Sequence, residues 1–250
     1  MSRRAEADMP VMEHLRELRS RIIRSLLAVA VGMLLLLAFY DPVKSFLAEP
    51  YVNICRQRPD FGCDGSLYAL GPLDGFTARL RISTYGGFVL ALPVVLWQIW
   101  RFVVPALESR EKRYAVPFIV STVVLFATGG FLAYWTLDKA LEFLISWAGQ
   151  DVNQAFQVTR YMQLVVLMML AFGIGFLSPV LIVFLQLVGA VRPAALLAKW
   201  RHAIVSIFVV AAVITPSGDP ISLLALSVPM CVLYALAVLV GWLLVRKRPT

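Results

Sequence analysis

His14-Leu15-Arg16-Glu17-Leu18-Arg19-Ser20-Arg21 runs without a break into the apolar segment Ile22–Tyr40. That junction decides the kind of chain this is. A basic helix with a carboxylate in its middle meets a stretch long enough to cross a ~30 Å hydrocarbon layer. At helical spacing His14, Glu17, Leu18 and Arg21 share one face, and Glu17 precedes Arg21 by four residues, the favourable order for an ion pair. Two readings fit. In one, the arginines are a juxtamembrane anchor that fixes the orientation of the first span. In the other, Glu17 is a docking point for a cationic ligand.

The composition extends this reading to the whole chain. Hydrophobic residues make up 60% of the 250, charged residues 15%, and mean hydropathy is +0.79. A soluble domain is nearer half apolar and a quarter charged. Further apolar runs lie at Ile82–Val104, Val116–Leu137, Leu164–Val188, Ala203–Ile214 and Ile221–Val245. Ile22–Tyr40 has no small-residue cleavage site after it, so it reads as a span rather than a removable leader. The expectation is an all-α polytopic membrane protein, one domain over residues 1–250. It has six kinked transmembrane helices, a main outer loop at 41–81, and short fifth and sixth spans. Ala203–Ile214 is the shortest, at about 18 Å.

Six spans put both termini on one side. Sixteen Lys and Arg fall on that side and seven on the other, which places both termini in the cytoplasm. The net charge of +8 belongs to that membrane face, and no basic, aromatic-interleaved segment suits nucleic acid. Prolines at Pro93, Pro117, Pro179 and Pro229 punctuate the spans and predict the kinks. Cys55 and Cys63 sit in the outer loop, on the oxidising side, where a disulfide would close a small loop and two free thiols are the alternative. Cys231 is apolar filling.

Chemistry is sparse. Ionisable residues inside a membrane are the default functional sites, and the runs hold them only at their borders. Both histidines lie at a border, no metal-ligand spacing exists, and no nucleophile motif or phosphate-cradling loop is present. Neither an enzyme nor a cofactor or metal is expected. What remains is the cytoplasmic face, where Glu17 and the segment from Trp100 through Arg101 and Phe102 to Glu108, Arg110, Glu111, Lys112 and Arg113 share a plane. Two carboxylates there could each receive a guanidinium by a charge-assisted fork. Alternatively, Glu108 and Glu111 pair with their own basic neighbours. A small-solute transporter or channel is the competing functional class.

The patterns His14-Leu-x-Glu17-Leu-Arg19-x-Arg21, Pro93-x4-Gln98-x-Trp100-x-Phe102-x-x-Pro105-x-Leu107, Glu111-x-Arg113, Phe172-Gly173-x-x-Phe176 and Thr215-Pro216 with Asp219 together resemble the TatC family. That family supplies the multispanning receptor of the twin-arginine protein translocase. The resemblance implies that Glu17 and Glu111, with Arg19 and Phe102, bind twin-arginine signal peptides. It implies family-dependent roles for Pro50, Pro93, Pro105 and Asp219. It also implies TatA- and TatB-type single-span partners near the fifth and sixth spans, a homo-oligomer within the complex, and export of folded cargo by the proton-motive force in a bacterial cell membrane. Leu177 stands where many members carry a fourth-span glutamate, and Leu223 where a polar residue is common. Ser178, Gln186 and Thr215 are the polar groups left near the first of these.

Overall fold

The first and third helices set the frame. In the computed structural model, which describes residues 11–103, 115–148, 155–187 and 189–246, α1 (Val11–Ala38) packs antiparallel against α3 (Asp74–Val103). Their crossing is at glycines. A Cβ on Gly32 would lie 2.6 Å from the carbonyl oxygen of Gly87, and one on Gly87 would lie 2.4 Å from the backbone nitrogen of Met33. Lipid offers no hydrophobic drive for helix pairing, so close backbone approach through small residues is what holds such a pair. The opposite face of α1 is exposed, as at Leu26 and Leu34, which suits a helix bathed in acyl chains.

The helices α4 (Ala115–Ala148) and α5 (Val158–Gly175) form the second pair. Gly173 makes room for the Phe126 ring, which a Cβ would approach to 2.6 Å. Phe172, fully buried, packs in the core beside it. The helix stops at Phe176–Leu177 and restarts as α6 (Ser178–Leu187). Pro179 has no amide hydrogen to continue the ladder, and the Leu177 carbonyl instead accepts from Val180 and Leu181 at 3.1 and 3.2 Å. Pro93 and Pro229, by contrast, lie inside uninterrupted helices.

Between α1 and α3 the chain builds a cap rather than a loop. α2 (Tyr40–Gln57) buries Tyr40, Leu47, Pro50, Tyr51, Ile54 and Cys55. A short 3-10 turn (Pro59–Phe61) follows, and the two-residue strand β1 (Leu67–Tyr68) pairs in parallel with β2 (Phe156–Gln157), Leu67 opposite Phe156. The outer segment 41–81 is therefore mostly helical, because residues 74–81 begin α3. Likewise α4 runs past the expected Leu137 to Ala148, since Leu137, Ala140, Leu141 and Ile145 are buried in the core cluster that includes α2.

The chain ends with α7 (Pro193–Ala198), α8 (Trp200–Ile214) and α9 (Pro220–Arg246). Among the described residues, five helical stretches are long and apolar enough to cross a membrane, α5 and α6 counting as one, and α8 is a shorter apolar helix. At 15 residues α8 is about 22 Å long. The last helix has 27 residues, about 40 Å, so the short sixth span expected from the sequence is corrected. Its apolar run is closed only by Arg246, and nothing breaks the helix before it.

Candidate functional site

Register places Glu17 and Phe102 at one end of the frame. Fifteen residues separate Gly32 from Glu17, and fifteen separate Gly87 from Phe102, about 22 Å in each case. Since α1 and α3 are antiparallel and cross at those glycines, the two side chains come to the same level. Glu17 accepts a hydrogen bond from Arg21 Nη2, closing the ion pair read from the sequence. The pair is half-buried, with Arg21 at 12% and Glu17 at 29% side-chain exposure. Nε and Nη1 of Arg21 are buried without a partner among the described residues. Glu17 thus keeps oxygen lone pairs beyond those Arg21 takes. Arg16 and Arg19 are exposed.

An aromatic cluster fixes this end. Trp100 stacks on Phe118 with ring centroids 5.2 Å apart, and Phe184 meets both edge-on at 5.8 and 5.9 Å. It ties the last turn of α3, the first turn of α4 and α6 into one block. Such rings contribute beyond their buried area when offset or edge-to-face. Phe102, partly buried, follows this block directly. The connection at 104–114, with Pro105, Glu108 and Glu111, lies outside the described residues.

The other predicted positions gather elsewhere. Pro50 is buried inside α2, and Cys55 and Cys63 are joined by a disulfide with Cα atoms 5.5 Å apart. Pro93 is exposed on α3 and lines a small apolar cavity of about 170 Å³ with Phe126 and Met169. Asp219 is buried at the start of α9, where its carboxylate accepts the Ser222 amide at 2.6 Å and the Ser217 hydroxyl. That is helix capping, with Pro220 at the first helical position and Gly218 at φ 62 supplying the turn.

Leu177 borders an apolar cavity of about 280 Å³ together with Trp100, Phe118, Thr122 and Phe184. Thr122 is the polar side chain in its lining, and Gln186 and Thr215 lie outside that lining, Gln186 with its Oε1 buried and without a partner among the described residues. Thr122 Oγ1 donates to the Phe118 carbonyl at 2.6 Å, Gln186 Nε2 donates to the Ala237 carbonyl at 3.2 Å, and Thr215 Oγ1 donates to the Ala211 carbonyl at 2.6 Å.

Sequence reasoning missed what holds the far end together. The Asp74 carboxylate accepts from the Leu70 and Gly71 amides at 2.7 and 2.8 Å and from Gln157 Nε2 at 2.9 Å. Thr159 Oγ1 donates to its carbonyl at 3.0 Å. Tyr161 donates to the Leu47 carbonyl at 3.0 Å, and Tyr51, fully buried, meets the Phe156 ring edge-on at 5.0 Å. Arg58 reaches Glu142 at 2.5 Å. Gly71-Pro72-Leu73-Asp74 is a helix-start signal that would have flagged Asp74. Exposed Asp64 in the same cap accepts the Tyr68 hydroxyl and the Ser66 amide, bonds that hold its carboxyl below the ordinary range.

Comparison with known proteins agrees across most of the chain. The family model described as Sec-independent protein translocase protein (TatC) matches residues 13–229. The Sec-independent protein translocase protein TatC of Frankia casuarinae is 39% identical over 248 residues, covering 97% of this chain and 68% of that protein. The namesake from Aquifex aeolicus is 34% identical, covering 96% and 98%. The chloroplastic TATC protein of Arabidopsis thaliana is 34% identical, covering 92% and 65%. A crystal structure of a twin-arginine translocase receptor TatC in DDM superposes with a TM-score of 0.75 at 33% identity, covering 91% of this chain and 99% of that one.

Proposed function

Because the chain belongs to the TatC family of Sec-independent protein translocase subunits, a multi-pass membrane component and not a catalytic enzyme, we propose that the Glu17 end of its bundle receives the paired arginines of an export signal. The observation that carries this reading is the common level of Glu17 and Phe102 set by the glycine crossing of α1 and α3. One carboxylate with spare lone pairs lies at the level of Phe102, in an otherwise basic stretch. Glu111 supplies the second carboxylate, on the connection that leaves α3 and enters α4 next to the Trp100–Phe118 stack.

Each guanidinium forks onto one carboxylate, and the apolar stretch after the arginines lies against Phe102 and the lipid-facing side of α1 and α3. Arg21 holds the Glu17 carboxylate in position until the signal's arginine shares it. Lysine offers a point charge without the planar fork, so twin lysine binds worse. Both termini face the cytoplasm. The folded cargo then crosses with single-span partners of TatA and TatB type, driven by the proton-motive force, in a complex with more than one copy of this chain. With leucine at position 177 and Thr122 committed to a backbone carbonyl, those partners dock there by apolar packing rather than through a carboxylate.

Charge reversal tests the site. Glu17→Arg and Glu111→Arg should each abolish binding of a twin-arginine peptide to the purified chain, and Glu17→Gln, which leaves Arg21 an acceptor, should weaken it without the loss of the Glu17–Arg21 partner. Unchanged affinity in both charge reversals rejects the site.

A further inference from the structure

The α7–α8–α9 region carries a second ligand class, independent of the signal site. The two helices α8 and α9 are packed neighbours of very different length, about 22 Å against 40 Å. α7 is pinned against α9 by the Tyr234 hydroxyl, which donates to the Leu196 carbonyl at 3.0 Å. α8 therefore begins near the level of Tyr234, twelve residues, or about 18 Å, short of the end of α9 at Arg246. At that start stand Lys199, Arg201 and His202, all exposed. The Arg201 guanidinium lies over the Trp200 ring, 5.5 Å from its centroid. Among the described residues neither Lys199 nor Arg201 makes an ion pair.

Cations set this deep against acyl chains are costly without an anion. Beside them opens an apolar groove of about 540 Å³, lined by Leu197, Trp200, Ile204, Cys231, Ala235 and Trp242 among others. We infer that this groove binds an anionic phospholipid, its phosphate on Lys199 and Arg201 and an acyl chain along Ile204, Cys231 and Ala235. A headgroup drawn in to this level also relieves the mismatch between a 22 Å helix and a ~30 Å hydrocarbon layer. Charge complementarity at the mouth and an apolar wall inside match one molecule carrying both features. A free phosphate has no use for the wall, and an apolar partner helix has no use for the cations.

Native mass spectrometry of the full chain, released from micelles with phosphatidylglycerol or phosphatidylcholine, tests this. The chain should retain phosphatidylglycerol roughly tenfold better, since each membrane-surface cation contributes appreciably to anionic-lipid binding. Lys199→Gln with Arg201→Gln should remove the preference. Ala235→Phe, which fills the groove but keeps both cations, should remove it as well. Arg24→Gln with Arg101→Gln, the same charge change elsewhere, should leave it intact, and inorganic phosphate should not displace the lipid. Cys231, the free thiol in the groove, should be alkylated more slowly with phosphatidylglycerol than with phosphatidylcholine. Equal retention of the two lipids, or a preference that survives the Lys199/Arg201 change or Ala235→Phe, overturns the proposal. So does loss of preference in the Arg24/Arg101 control, displacement by inorganic phosphate, or protection of Cys231 only by an added single-span helix.

Discussion

The cap over α3 and α5 and the α7–α9 region are built by opposite rules. The cap behaves like a small soluble domain. Its carboxylates Asp74 and Asp64 are hydrogen-bonded, its aromatic residues Tyr51, Phe156 and Tyr161 interlock, and a disulfide closes it. Within the α7–α9 region, α7 and α8 are thinly packed, whereas α9 sends Leu226 and Met230 into the core cluster. α7 has no buried residue, α8 buries only Ala211 among its described residues, and Trp200 and Val213 face outward. One region is a fixed platform that holds the spans in register. In the other, α7 and α8 leave most of their surface facing outward.

The sharpest way to break this contrast is a pair of truncations. Tyr51→Ala empties a fully buried site and should cost about 3–5 kcal/mol of stability in detergent unfolding. Trp200→Ala, half exposed, should cost no more than about 0.5 kcal/mol. Similar losses would erase the distinction. Next in size, Cys55→Ser with Cys63→Ser opens a short closed loop and should cost roughly 2–3 kcal/mol. The loss should be seen as faster proteolysis of residues 58–73 with no change at α8.

Asp219 sharpens the comparison on the thin side, where one cap carries the turn. Asp219→Ala should cost about 1 kcal/mol, and Asp219→Asn much less, because asparagine caps nearly as well. Equal losses would mean that the negative charge, not the hydrogen bond, matters there. The smallest effect is acid sensitivity of the cap. The Asp64 carboxyl is held below its usual 3.8 by the Tyr68 hydroxyl and the Ser66 amide. A depressed folded value stabilises above the unfolded one and is lost as pH falls through the folded one. Proteolysis of the cap should therefore quicken below about pH 4, and Asp64→Asn should flatten that response.

The spans were legible because hydropathy is local, and so was the Glu17–Arg21 pair, a four-residue helical spacing. The cap was not, since it depends on contacts such as Tyr161 with Leu47, 114 residues apart. The overlong α3 and α4 followed from the same blindness, because turns beyond the apolar run are helical only when a cap packs on them. Nor could the sequence show how far Lys199 and Arg201 lie from the end of α9, since that depends on the register between α8 and α9. The family pattern pointed to Asp219, whereas its bonds to Ser222 and Ser217 give the residue a physical task as a helix cap.

The central claim is that Glu17 contacts a signal arginine directly. A double-mutant cycle reads it, with Glu17→Gln on the chain crossed against arginine-to-glutamine at each position of the signal pair. A direct charge-assisted contact predicts a coupling of about 1.5–3 kcal/mol with one of the two arginines, roughly tenfold to a hundredfold in affinity. Additive losses, with no coupling to either arginine, would contradict it.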